Sequence, residues 1–242
     1  MGLPAAEQVA HGDEMPPLPP ILLETTGFLV IDKPAGLATH PGPKTPESLE
    51  DLLPLYAPGR PPPQAVHRLD RDTSGCLLLA RTRPALRTLA AAFADGRVEK
   101  LYWAILEQPP EARSGLVDAP LAKISSAADG WRMVVAAGGK PARTHWEILA
   151  RQGRFALAAF RPETGRTHQI RVHATLLAPG AAIVGDPVYG AAHPQGMMLH
   201  ARSLAFPDPG TGAQRFVAAP CPARLAQMFP GAHTTDKAEI GL

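Results

Sequence analysis

At 242 residues, 45% hydrophobic and 19% charged, the chain can build a core without metal or disulfide support. Its two cysteines, Cys76 and Cys221, form no C-x-x-C pair and no metal spacing, which suits a reducing cytoplasmic setting. A formal net charge of +2, from 18 Arg and 6 Lys against 22 acidic residues, argues neither for nor against a polyanionic partner. No apolar run approaches the roughly 20 residues of a membrane span, and the N-terminus lacks the cationic start and apolar stretch of a signal peptide.

In chain order, residues 1–24 are Pro-rich and unpatterned, and are expected to be a disordered lead-in. One folded domain is expected over 25–230, followed by a flexible tail at 231–242. The run Phe28–Ile31 is a buried-type strand that ends in a Pro/Gly turn. "TPESLEDLL" is a short helix, with Thr45 as cap, Pro46 at its first position and Pro54 as its stop. "CLLLAR" is a buried strand. "TRPALRTLAAAFADG" is the clearest helix: Thr82 caps it, Leu86, Leu89, Ala90 and Phe93 recur at helical spacing, and Gly96 closes it. "KLYWAIL" returns as a strand, and 107–142 is turn-rich with weak strand signals. "THWEILAR" and "RFALAAFRP" suggest an antiparallel pair joined near Gln152-Gly153. "TGRTHQIRVHATLLAPG" is a turn leading into a helix that ends at Pro179-Gly180, "MLHARSLAFP" a strand and "CPARLAQMF" a short helix. Strands outnumber helices and several follow one another without crossovers, so the expected fold is α+β: one domain around a mixed, mostly antiparallel sheet.

Metal chemistry has little support. His168 and His173 stand five apart, on different faces of a helix or of a strand, and no H-E-x-x-H pattern completes them. Gly138-Gly139-Lys140 lacks the earlier glycine of a phosphate loop, since Val134 stands there. Ser74 is not in a G-x-S-x-G elbow. The carboxylates of "HRLDRDTSG" (67–75) remain. Asp72 precedes Thr73 and Ser74, where an Asx-turn explains it; Asp70 has no such explanation, although a surface ion pair would also suit an Asp beside Arg. In "RPETGRTHQIRVH" an arginine presented after the Thr164-Gly165 turn could pair with a distant Asp, and spacing alone does not choose among Arg161, Arg166 and Arg171. On a strand Lys100 and Tyr102 share a face, where Tyr102 could stack on a flat ring or pack in the core.

"FLVIDKPAGLATHPG", "HRLDRDTSG", "KLYWAIL", "ETGRTHQIRVH", "GDPVYG" and "LHARSLAF" occur in this order, and together they resemble the RluA family of RNA pseudouridine synthases over about Phe28 to Phe206. The resemblance implies an enzyme without cofactor or metal that isomerises a uridine of structured RNA, in a stem-loop of rRNA or tRNA. The C1′–N1 bond would break and the base would rejoin through C5. It implies Asp70 as the catalytic carboxylate, Tyr102 stacked on the target uracil and Arg166 paired with Asp70. Arg68 would fill the space the flipped base leaves, with His67, Lys100 and Arg171 as further RNA contacts. An S4-type RNA-binding domain found in many relatives has no room before the first motif, so the short form is expected, acting as a monomer. From residue 67 to 103 seven Lys/Arg face four Asp/Glu, an excess that could line an RNA groove. A catalytically silent RNA-binding or RNA-folding protein on the same scaffold is the alternative.

Overall fold

The structure, a computed structural model, describes residues 17–42, 45, 47–126 and 130–230. The expected tail and residues 1–16 of the expected lead-in lie outside these. The strands are β1 (Ile21–Glu24), β2 (Phe28–Lys33), β3 (Gln64–Ala65), β4 (Ser74–Ala80), β5 (Glu99–Glu107), β6 (Ser114–Asp118), β7 (Leu121–Ser126), β8 (Gly130–Val135), β9 (Arg143–Gln152), β10 (Phe155–Pro162), β11 (Ala182–Ile183), β12 (Leu199–Pro207) and β13 (Gln214–Ala218). The helices are α1 (Leu49–Leu52), α2 (Arg83–Ala94), α3 (Gln169–Ala174) and α4 (Ala223–Met228).

Eleven strands make one sheet whose main path runs β1-β2-β4-β12-β5-β10-β9-β6, while β7 and β8 form a separate hairpin. Among the described strands only β4 and β12 pair in parallel; the other strand pairings are antiparallel, so the sheet is mixed and mostly antiparallel as expected. The apolar runs of β2 and β4 follow from their position, because both strands are covered on both faces. On one face Phe28, Val30 and Leu78 pack with Leu89 of α2 and Phe206. On the other Leu29, Ile31, Leu77 and Leu79 pack with Leu49, Leu52 and Tyr56.

Three expectations need correction. Residues 21–24 are not lead-in: Ile21, Leu22 and Leu23 follow the prolines as a short apolar run and pair antiparallel with β2 across a Thr25–Gly27 turn. Thr45 does not cap α1. Ser48 does, in a reciprocal box with Asp51, while Pro46 lies outside the described residues; the helix ends at Leu52, before Pro54 as expected, and a 3₁₀ turn, Leu53–Tyr56, follows. The helix after "TGRTH" stops at Ala174 instead of Pro179-Gly180. Thr175 turns its hydroxyl back to the Val172 carbonyl, and 3₁₀-type bonds close the last turn. The weak region 107–142 contains β6, β7 and β8, whose residues are largely exposed and therefore lack a strong apolar alternation.

Candidate active site

The HRLD loop is held from beneath by the segment after β2. Leu69 exchanges two bonds with the Thr39 hydroxyl, accepting at 2.8 Å and donating at 3.2 Å. The wholly buried Lys33 donates to the carbonyls of Pro34, Leu37 and Arg71 at 2.8, 2.7 and 3.1 Å, and Gly36 N–H also reaches Arg71 O. The loop's far end turns back through Thr73 N–H to Asp70 O and enters β4 at Ser74, with Gly75 next. Gly75 has φ +110°, and a Cβ there would stand 2.2 Å from Ala201 O, so only glycine lets β4 approach β12 directly behind the carboxylate. Asp72 forms an exposed pair with Arg71 at 3.1 Å. The expected Asx-turn is replaced by the backbone turn at Thr73.

Lys33 carries a pH signature. Burial pulls its ammonium down to about 7, although the charges of Asp72 and Asp70 oppose this. An unfolded lysine titrates near about 10.4, so between roughly pH 7 and 10 the unfolded chain binds a proton that the folded chain lacks. Wild-type stability should therefore rise across that window, and Lys33→Met should flatten the rise. Denaturant unfolding of both proteins at pH 7 and pH 10 checks this. Parallel pH dependences would mean the amine stays charged on its three carbonyl acceptors.

Helix α3 supplies the cation. Gln169 and His173 are four apart and so share a face; both bond the buried Thr144 of β9, at 2.9 and 2.8 Å. That fixes the helix and turns Arg171 the other way, into the cleft. Arg171 is 5% exposed. It forms a fork with Asp186, Nε to Oδ2 and Nη2 to Oδ1 both at 2.7 Å, and its remaining Nη1 lies 3.4 Å from Oδ2 of Asp70. Asp186 is wholly buried. Burial opposes its ionisation, but Arg171 and the N–H groups of Val188 and Tyr189 outweigh it and hold the carboxyl below the ordinary range. The preceding Gly185, at φ +80°, touches the Gly196 backbone too closely for any Cβ, which sets the Asp186 turn. Asp70, 19% exposed, is thus the end of an Asp186–Arg171–Asp70 chain and the member that meets the cleft. His168 stands beside it with Nε2 3.9 Å from Asp70. Its imidazole is held low by burial despite that carboxylate, and Nδ1 shares a bond with the Tyr189 hydroxyl at 2.9 Å.

Tyr102 lies half-buried in β5, between Phe160 of β10 and Ala201 of β12. It lines the same cleft as Asp70, together with Arg68, Lys100, Arg171 and the loop 164–168. Burial, with Asp70 next, pushes its phenol up, so it is a neutral ring at any working pH. Lys100 reaches the Thr164 carbonyl at 3.3 Å. The exposed Arg68 forms no ion pair among the described residues.

Three assignments change. Arg166 is not the partner of Asp70: its exposed side chain turns outward, with Nε donating to Pro141 O at 2.9 Å. The turn at Thr164-Gly165 is pinned through Gln169, which accepts from Arg166 N, and α3 brings the later arginine inward. Arg171 therefore leaves the set of RNA contacts. His67 leaves it as well: its Nε2 accepts from Leu78 N–H at 3.1 Å, its ring stacks on Phe93 at 4.7 Å, and burial pushes it down to about 3. Sequence reasoning also missed Asp186, Lys33 and Thr39. The signals were present, since "GDPVYG" carries a carboxylate in a Gly/Pro turn and "DKPAGLAT" a lysine at the end of an apolar run. Among the described residues no cluster of three His, Cys, Asp or Glu could hold a metal ion, and no helix is long and apolar enough to cross a membrane.

A family model described as RNA pseudouridylate synthase matches residues 27–176, which span the HRLD loop, Tyr102 and α3. The chain is 52% identical over 194 residues to an uncharacterized RNA pseudouridine synthase of Zymomonas mobilis, covering 76% of this chain and 88% of the relative. It is 37% identical over 228 residues to the ribosomal large subunit pseudouridine synthase D of the same organism, covering 86% and 71%. Among solved structures, human RNA pseudouridylate synthase domain containing 4 superposes with a TM-score of 0.71 at 26% identity, over 85% of this chain and 90% of that one. With Asp70, Tyr102 and Arg171 gathered in one cleft of the matched region, the chain belongs to the RNA pseudouridylate synthase family, isomerases that act on RNA.

Proposed function

We propose that this enzyme converts a uridine of structured ribosomal or transfer RNA to pseudouridine, with Asp70 as its catalytic carboxylate. The observation that supports this most directly is the Asp186–Arg171–Asp70 chain, which leaves one partly exposed carboxylate beside a half-buried tyrosine. Breaking C1′–N1 builds positive charge at the anomeric carbon, and a carboxylate there stabilises or captures it. Arg171 orients that carboxylate and offers it a counter-charge beside the phosphates of the RNA. The freed uracil is held on the Tyr102 ring while it turns and rejoins C1′ through C5. The C5 proton is lost and N1 gains one, so atoms balance without any cofactor. The target must leave its stack first, at a cost of a few kcal/mol, and the unpaired Arg68 at the cleft rim is the side chain placed to fill the gap. The names of relatives such as the synthase D of Zymomonas mobilis favour ribosomal RNA. The enzyme is expected to act as a cytoplasmic monomer. Pseudouridine mapping of rRNA and tRNA from cells with and without the gene tests the reading: one or more sites should vanish with the gene and return with wild type but not with Asp70→Asn. An unchanged map would overturn it.

A further inference from the structure

Beside the Asp70 cleft lies a second one that the uridine chemistry does not use. It runs between the β7–β8 hairpin and the loop 165–167, with a volume of about 490 Å³, and is lined by Lys123, Lys140 and Arg166, by Gly138 and Gly139, and by no carboxylate. Trp131 lies outside that lining but touches it through Lys123. Of the three tryptophans, Trp103 and Trp146 are buried, whereas Trp131 is 45% exposed. Its indole lies 5.0 Å from the His168 ring, and His168 is the residue next to Asp70. Only one imidazole thus separates the indole from the catalytic carboxylate. The Lys123 ammonium sits over the indole, 5.0 Å from its centroid.

We infer that this second cleft binds the nucleotide adjacent to the target uridine, its base stacked on Trp131 and its phosphate held by Lys123, Lys140 and Arg166. The inference rests on the proposed function in placing the target uridine at Asp70. An RNA strand that delivers a base to Asp70 must carry its neighbouring residue away along one side of the cleft, and this side offers three cations without a competing anion. Gly138 has open space where a side chain would stand, so the wall does not crowd a phosphate there. Lys123 is a placeholder on the indole. An exposed cation–π contact is worth about two- to fivefold in an equilibrium constant, and a base–aromatic stack roughly five- to 150-fold. A base therefore displaces the ammonium, which is then free to turn to the phosphate. Such a stack tolerates any base, so the subsite requires an unstacked neighbour rather than a particular sequence.

The test uses an RNA hairpin with a seven-uridine loop and a set of its variants carrying one abasic residue at each loop position. Wild type should lose about tenfold in affinity at one particular abasic position. Trp131→Ala should show the same loss on the intact hairpin and no further loss on that abasic variant, whereas Trp131→Phe, which keeps a ring, should behave nearly as wild type. Binding should quench the fluorescence of wild type and not that of Trp131→Phe. Equal affinities of wild type and Trp131→Ala for every hairpin would overturn the inference, as would a Trp131→Ala loss independent of the abasic site. Thermal melting of each variant separates binding from folding. Pseudouridine formation by wild type on total RNA from cells lacking the gene is scored separately. If it occurs while the Trp131 arms fail, only the subsite is wrong; if it is absent while they succeed, only the isomerase reading is.

Discussion

Asp70→Asn should lower single-turnover pseudouridine formation by roughly 10²–10⁴-fold or more, the range one positioned acid–base group supplies, while RNA affinity and thermal stability change little. Asn keeps the shape and can still accept from Arg171, but it cannot act as an anion at the anomeric carbon. Asp72→Asn should keep most activity, because the ion-pair partner of Asp72 is the exposed Arg71, such pairs contribute about 0–1 kcal/mol, and Asp70 still supports the Lys33 charge. The two substitutions are chemically identical and two residues apart, so loop disruption would affect both. Comparable losses in both would place the chemistry elsewhere.

The second large effect separates two arginines. Arg171→Ala strands the wholly buried Asp186 without its fork, and breaking such a pair typically costs about 3–5 kcal/mol. The variant should melt far below wild type and lose isomerisation in whatever fraction still folds. Arg171→Lys keeps a charge but cannot fork onto Asp186 while reaching Asp70, so it should recover part of the stability and little of the rate. Arg166→Ala touches only Pro141 O within the protein and should shift stability by no more than about 0.5 kcal/mol. Its effect should appear in RNA affinity, with the slope of log affinity against log salt falling by about one. Denaturant unfolding and salt-dependent binding distinguish the cases. A steep rate loss for Arg166→Ala at unchanged affinity would return to it the partnership with Asp70.

The sequence revealed most where a signal was local. The α2 helix announced itself through Thr82, its apolar spacing and Gly96, and the β9–β10 hairpin through Gly153, because one element's own residues decide these features. Asp70 was singled out by the family resemblance rather than by spacing, which left its role open, and the Asx-turn expected of Asp72 did not form. What escaped depends on distant partners. Whether Arg166 or Arg171 turns inward is decided by Gln169 and His173 bonding Thr144, some 25 residues earlier in the chain. His67 reads as a solvent-facing base beside two arginines until Leu78 and Phe93 are seen to occupy both its nitrogen and its ring. The short strands β3, β11 and β13 exist through their neighbours more than through their own residues.

The contact between Arg171 and Asp70 spans 101 positions of the chain, and Asp186 lies further on still. During synthesis at roughly 5–20 residues per second, the HRLD loop leaves the ribosome several seconds before the arginine that completes it. Non-local contacts of this kind carry the loop-closure entropy that slows folding. β1, β2, β4 and α2 can therefore meet while Asp70 is still unaccompanied, although Phe206 of β12, which completes their core, emerges later than Arg171 and Asp186. Competence to modify RNA should arrive abruptly, with the docking of α3 and the Asp186 turn, rather than grow with the amount of folded structure.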